Sequence, residues 1–313
     1  MVDSCSGYMV TDTTAALLGE WRYDEPMSLH TSWRVGGPAG RFYLPRDLDD
    51  CVHFMQGLPA DEPLFYLGLG SNLLVRDGGI PGTVLCTCNR LKRTALLPEQ
   101  RIYVEAGTPC AHVARQAAAH DLTGAEFLAG IPGTMGGALA MNAGAFGGVT
   151  WPVVARVLVL DRSGAHWYPA SDFETGYRSV RLAPGALFLA CELQLAPGDG
   201  AASRMRIREL LAQRAATQPT QQPSCGSVFR NPPGDHAARL IEAAGLKGLV
   251  RGRAQVSSMH ANFIVNLGGA TARDIEWLIL HVQAQVQAQY GMLLQPEVRI
   301  VGTSLDLDED SSR

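Results

Sequence analysis

Apolar residues recur along this chain in two different rhythms. Between about residues 30 and 200 they come in short runs, at 64–67, 83–87, 102–105, 153–160 and 187–195. Runs of this length bounded by glycine turns predict strands. Two helices interrupt them. One follows Asp47, and one begins at Thr108 with Pro109 at its first position and ends near His120. Beyond residue 200 the rhythm lengthens. A basic helix is expected over 205–214, and Asp235 is placed to cap another that runs through Leu240 and Ile241 to Gly245. A longer helix starts at Thr271, where Ile275, Leu278, Ile279, Val282 and Val286 fall on one face. A strand over 298–301 closes the pattern, which is that of an α+β protein.

Two breaks suggest how the chain divides. Residues 197–203 read as a linker, and the run 218–223, with two prolines and three glutamines, interrupts the helical pattern. The expected organisation is an N-terminal extension at 1–25 and a first domain at 26–200, itself in two parts at about 26–88 and 89–200. A C-terminal domain at 203–302 and a disordered acidic tail at 303–313 follow.

Composition narrows the function. Charged residues are 18% of the chain and the net charge is -4. Neither supplies the basic footprint that nucleic acid or an anionic membrane requires. Residues 1–5 lack the basic start of a signal peptide, and no apolar run is long enough to span a bilayer. The seven cysteines have no disulfide spacing and no metal-ligand partners. Cys86 and Cys88, two apart in an expected strand, should share a face as buried thiols. A cytoplasmic protein is expected.

Glycine changes the picture. There are 34 in 313 residues, and they cluster. Residues 66–75 contain Gly68 and Gly70, followed by Gly78 and Gly79. Consecutive backbone N–H groups there suit a phosphate, and a glycine-rich hairpin is an equal alternative. The Rossmann spacing fails because Leu occupies position 73. The second cluster, 130–148, holds seven glycines in 19 residues. Such a segment should fill no core with its own side chains and leaves backbone open to a flat ligand. Together the two favour a bound dinucleotide.

Several longer motifs then align. They are residues 31–39 (TSWRVGGPA), 67–74 (LGLGSNLL), 130–148, 177–179 (YRS), 223–232 (PSCGSVFRNP), 256–263 (VSSMHANF) and 296–299 (PEVR). In this order, across roughly residues 26–302, they resemble UDP-N-acetylenolpyruvoylglucosamine reductases. The resemblance implies an FAD-binding fold of the vanillyl-alcohol-oxidase (PCMH) type, with a substrate domain behind it. It implies FAD as cofactor, NADPH as co-substrate, and a nucleotide-sugar substrate reduced in peptidoglycan precursor synthesis. A monomer is expected. The short spacing between Tyr177 and Ser227 is similar to the family variant that lacks an extra tyrosine-bearing loop. Two positions depart from the pattern: His30 stands where Asn is common, and Met259 where Lys is common.

By the same resemblance Arg178, Ser227 and Glu297 are the catalytic residues. Tyr177, Arg230 and Asn231 contact substrate. FAD would lie against Gly68, Gly70, Ser71, Asn72, Gly130, Ile131, Pro132, Gly133, Gly136, Gly137, Asn142 and Gly144. An electron-rich enol ether resists hydride, so its carboxylate needs electrophilic groups and its C2 a proton donor. Arg178 offers paired donors to a carboxylate, Ser227 is a hydroxyl still protonated at neutral pH, and Glu297 would hydrogen-bond the same carboxylate in its acid form, or orient Arg178 or a water. Read without the resemblance, these three residues are an ion pair, a turn serine and a strand-end charge. Cys225 has no nearby histidine to activate it and reads as a buried neighbour. Two competing readings are an oxidase or dehydrogenase on the same flavin fold and a flavin- or nucleotide-binding module without turnover. The Ser227 and Glu297 motifs argue against the first. Arg178, Ser227 and Glu297 together argue against the second.

Overall fold

The structure, a computed structural model, describes residues 17–305. The expected N-terminal extension and acidic tail lie largely outside them. The described chain forms two compact units. The first takes in the chain up to Trp21, Tyr43–Leu69 and Val84–Ala212; the second takes in Arg22–Phe42, Gly70–Thr83 and the chain from Gln213.

The first unit is built on a five-stranded antiparallel sheet. Its strands, in spatial order, are Gly164–Pro169, Val154–Asp161, Leu187–Gln194, Arg101–Glu105 and Thr94–Leu97. The central strand Leu187–Gln194 is buried at seven of its eight positions, as a strand covered on both faces should be. On one face Val104, Cys191 and Leu193 join a core with helix α2 (Cys110–Ala119) and Leu128, Met135 and Leu139. On the other, Leu158, Leu160 and Leu189 pack with helix α1 (Leu48–Gly57) through Val52, Phe54 and Met55. Asp47 caps α1, its carboxylate accepting from Asp50 N–H at 3.0 Å. Glu192 spans the sheet, bonded to Arg101 (3.0 Å) and Arg156 (2.7 Å) on the two neighbouring strands.

Helix α3 (Met135–Met141) corrects the expectation for the second glycine cluster. Met135 and Leu139 are fully buried and Ala138 nearly so, so this segment does fill core. Gly136 and Gly137 occupy two of its seven positions, at roughly 1 kcal/mol each relative to Ala. That composition hides the helix from propensity.

The linker expected at 197–203 is shorter than that. Ala196–Pro197 pairs with Leu122–Thr123, and helix α4 (Gly200–Thr217) begins three residues later. Asp199 supplies the start: its carboxylate accepts from Ala201 and Ala202 N–H. The strand expected over 83–87 is Ile80–Cys86, so Cys88 lies beyond it in a turn and does not share a strand face with Cys86.

In the second unit, helix α6 (Ala272–Tyr290) carries the expected apolar stripe, and Ile275, Leu278, Ile279, Val282 and Val286 are all buried. A reciprocal bond pair between Thr271 and Asp274 caps it. Helix α5 (Ala237–Ala243) differs from expectation, because His236 is its N-cap. Asp235 instead bonds His236 N–H and pairs with Arg239, while the Ala237 N–H is accepted by Asn231 Oδ1 at 3.1 Å. A short sheet of Val250–Arg251, Ala254–Val256 and Ile264–Asn266 lies against α6. Arg299–Val301 pairs in parallel with Leu73–Val75. The first glycine loop therefore does not close a hairpin: Leu64–Leu67 and Leu73–Val75 belong to different sheets.

Trp33 lies in the core of this second unit, fully buried among Val35, Leu74, Val228, Ile264 and Leu278. Its indole N–H donates to Ile264 O at 2.7 Å, and Asn266 Nδ2 donates to Trp33 O at 2.9 Å. Sequence neighbourhood groups Trp33 with residues 26–88; contacts group it with 213–313.

Candidate active site

The segment around Ser227 is held from two sides. Gly226 has φ +82, and Val228 and Phe229 are buried. On one side Glu297 N–H donates to Val228 O at 2.7 Å and Arg230 N–H to Gln295 O at 2.9 Å. Glu297 is thus bonded through its backbone to Val228, the residue after Ser227. On the other side Val228 N–H donates to Asn262 O at 2.9 Å. The Asn262 amide also spans Phe229, accepting its N–H at 2.9 Å and donating to its C=O at 2.8 Å. Asn262 was not singled out from sequence.

Asn72, expected at the cofactor, donates through Nδ2 to Glu297 O at 3.0 Å, and its own C=O accepts from Arg299 N–H at 3.1 Å. Cys225 is buried, and that burial, with the Glu297 charge second, pushes its thiol well above the ordinary range. It is a packing neighbour with no thiolate to offer. His260 sits in the turn before Asn262. Burial lowers its pKa, and its Nδ1 accepts from Asn262 N–H at 3.3 Å. Asn231 is exposed, its Oδ1 engaged by helix α5, and Arg230 is half-buried.

In the first unit, Arg178 sits in the turn between Thr175–Gly176 and Ser179–Val180 with φ +53. Its Nη2 donates to Gly144 O at 3.1 Å, and its guanidinium lies 5.4 Å from the centre of the exposed Tyr177 ring. Asn142 ties this turn to α3. Its Nδ2 donates to Gly176 O at 3.0 Å and its Oδ1 accepts from Trp151 N–H at 3.1 Å. A Cβ at Gly144 would lie 2.5 Å from Gly148 O, so only glycine allows that backbone approach beside Arg178.

The two glycine clusters meet at Thr134. A Cβ at Gly68 would lie 2.5 Å from Thr134 Oγ1, and one at Gly137 4.0 Å from it. Thr134 and Thr108 are both 1% exposed, and neither hydroxyl has a hydrogen-bond partner among the described residues. Buried hydroxyls left unpaired cost free energy, so a native structure satisfies them. Orphaned hydroxyls beneath a glycine-lined backbone fit a polar, flat cofactor. Gly68 is selected by close packing of the chain against Thr134. Gly130, Gly136 and Gly70 have the same origin. A Cβ there would meet the Phe146 ring, Ala106 and the His30 carbonyl respectively, so close packing of the chain on itself selects them. Pro132 is exposed, Ile131 is buried, and Ser71 and Gly133 are half-buried.

Comparison with known proteins identifies the class first. Residues 40–167 match a family described as FAD binding domain, so the chain is an FAD-binding oxidoreductase with the PCMH-type fold. Residues 218–301 match the family described as UDP-N-acetylenolpyruvoylglucosamine reductase, C-terminal domain. Two relatives of that name are similar over nearly their whole length. The protein of Methylococcus capsulatus is 63% identical, covering 93% of this chain and 96% of its own. That of Alkalilimnicola ehrlichii is 58% identical, covering 91% and 95%. The solved reductase of Thermus caldophilus is 33% identical with a TM-score of 0.78, covering 91% of this chain and 99% of that one. The chain belongs to the UDP-N-acetylenolpyruvoylglucosamine reductase family.

Proposed function

We propose that this protein reduces UDP-N-acetylglucosamine-enolpyruvate to UDP-N-acetylmuramate, with NADPH as electron donor. The observation that carries the reading is the hydrogen bond between Glu297 N–H and Val228 O, which holds a carboxyl group and the Ser227 hydroxyl on one paired backbone. FAD fits against Gly68, Gly137 and the Thr134 hydroxyl, and when bound it supplies hydride chemistry. Arg178 holds the substrate carboxylate with paired donors and offsets the charge that gathers there as C3 is reduced. Ser227 donates its proton to C2, where the electron pair of the broken C=C bond is taken up. Glu297, in its acid form, donates a hydrogen bond to the same carboxylate. Tyr177, Arg230 and Asn231 face the nucleotide sugar. No described helix is long and apolar enough to cross a membrane. A monomer acting in the cytoplasm on small molecules accords with these features.

The test separates the two half-reactions. Ser227→Ala should be reduced by NADPH at the wild-type rate, because that step needs no proton at C2. Its reoxidation by the enolpyruvyl substrate should slow by on the order of 10²- to 10⁴-fold. Wild-type reoxidation in Ser227→Ala would remove Ser227 as the donor. Failure of the purified protein to take up FAD would remove the flavin reading.

A further inference from the structure

We propose that Asn262 is a positioning residue that holds the Ser227 hydroxyl in register for proton transfer. The inference rests on Ser227 being the proton donor, and it assigns a role to a side chain that need not touch substrate or cofactor.

Asn262 is 4% exposed, so its amide must find partners within the protein. It finds them on the backbone that follows Ser227. Three hydrogen bonds link Asn262 to Val228 and Phe229: Val228 N–H to Asn262 O, Phe229 N–H to Oδ1, and Nδ2–H to Phe229 O. A carboxamide is matched to that task, since it presents one acceptor and one donor to an N–H and a C=O of the same residue. Aspartate would face the Phe229 carbonyl with a second acceptor, and leucine would leave both backbone groups unpaired.

The turn that presents Asn262 is itself fixed. Ser257 is 2% exposed and its Oγ accepts from Met259 N–H (3.1 Å) and His260 N–H (3.3 Å). Ser257 N–H donates to Phe263 O at 2.8 Å and Phe263 N–H to His260 O at 3.0 Å. Burial favours the neutral His260 ring, whose Nδ1 accepts from Asn262 N–H at 3.3 Å. The opposite side of the Ser227 segment is held by Glu297, Val298 and Gln295. Residues 228–230 therefore run between two anchored segments. Gly226, with its positive φ, precedes Ser227 on the N-terminal side. Loss of the Asn262 clamp frees one of the two sides. Misplacing a reacting group by about 1 Å costs on the order of 10²-fold in rate.

The experiment uses the FAD-loaded full chain as wild type, Asn262→Ala, Asn262→Asp, Ser227→Ala and the double variant Ser227→Ala/Asn262→Ala. Rapid mixing with NADPH, then with the enolpyruvyl substrate, gives the two half-reactions. Amide hydrogen exchange reads Val228 and Phe229 directly. Both Asn262 variants should be reduced normally, bind substrate within a few-fold of wild type, and reoxidise ~10²-fold more slowly. Exchange at Phe229 should rise in Asn262→Ala, which loses the acceptor of that N–H, whereas aspartate keeps one. The double variant should reoxidise no more slowly than Ser227→Ala, because one side chain acts through the other. Asn262→Asp keeps the side-chain volume should the alanine variant fail to fold. Its reoxidation should recover as pH falls, since the protonated carboxyl again offers one donor and one acceptor. Wild-type reoxidation in the Asn262 variants, or unchanged Phe229 exchange in Asn262→Ala, beside a slow Ser227→Ala, would overturn the positioning role alone. Additive slowing in the double variant would also overturn it. A Ser227→Ala enzyme that reoxidises normally would overturn the donor reading and this inference with it.

Discussion

Asn72 Nδ2 donates to the backbone carbonyl of Glu297 at 3.0 Å, across 225 residues of sequence. The bond sits at the head of the parallel pairing between Leu73–Val75 and Arg299–Val301. It fixes where the last strand begins, and Glu297 stands two residues before that strand.

Asn72→Ala removes this donor and leaves the Glu297 carbonyl without it. Stability should fall by about 1 kcal/mol, the net value of one such bond. Reoxidation by substrate should slow while reduction by NADPH does not. Urea denaturation and the two half-reactions check this. Equal slowing of both half-reactions would argue that Asn72 acts at the cofactor.

Thr134→Val exchanges a buried hydroxyl, without a partner among the described residues, for a methyl group of the same size. The FAD-free protein should be as stable as wild type or more so, because an unpaired polar group is no longer buried. FAD should bind more weakly, by about five- to tenfold for one lost hydrogen bond. Thermal unfolding of the apoprotein and an FAD titration read the two effects separately. Unchanged FAD affinity would dissociate the hydroxyl from the cofactor.

Glu105 provides a pH test. Burial holds its carboxyl above the ordinary range, while Arg93 N–H donates to Oε2 at 2.8 Å and Tyr103 OH to Oε1 at 3.3 Å. The native carboxyl binds its proton more tightly than the unfolded chain does. Its contribution is therefore largest at acid pH, falls as pH rises from about 4 through the raised pKa, and is flat above it. Glu105→Gln should lose that fall, so its stability relative to wild type should rise across this window and then level off. Denaturant titrations at a series of pH values test it. A difference independent of pH would contradict the shift.

Trp33→Ala should destabilise the second unit by about 3–5 kcal/mol, through the cavity left behind and the lost indole bond to Ile264. A fragment beginning at Gln213 should fail to fold cooperatively, since it lacks Trp33, Val35 and the partner strand Leu73–Val75. Circular dichroism of the fragment, alone and with a peptide spanning residues 22–42, measures this.

Sequence carried the strands and the stripe of α6 well, because burial on one or both faces imposes a local period. It also carried the family, through motifs long enough to recognise. Helix α3 was hidden because Gly136 and Gly137 argue against helix, and only the buried Met135 and Leu139 compensate. Asp235 offered the composition of a cap, but Asn231 reached the Ala237 N–H instead. Asn262 left no local signal at all. Its partner Phe229 lies 33 residues away, and no periodicity reports a bond at that distance. The glycine excess suggests open backbone for a ligand. At Gly137 the open space beside Thr134 supports that reading, whereas Gly68, Gly70, Gly130 and Gly136 answer to the close approach of the chain to itself.

The placement of Trp33 has a consequence for how the protein is made. It leaves the ribosome 231 residues ahead of Ile264, whose carbonyl its indole binds. At roughly 5–20 residues per second that is a wait of some ten seconds or more. For that interval a large aromatic side chain and the apolar strand at Leu73–Val75 have no core to enter. The nascent chain must carry them in an unfinished state, exposed to chaperones and to misassembly, until almost the last strand is synthesised.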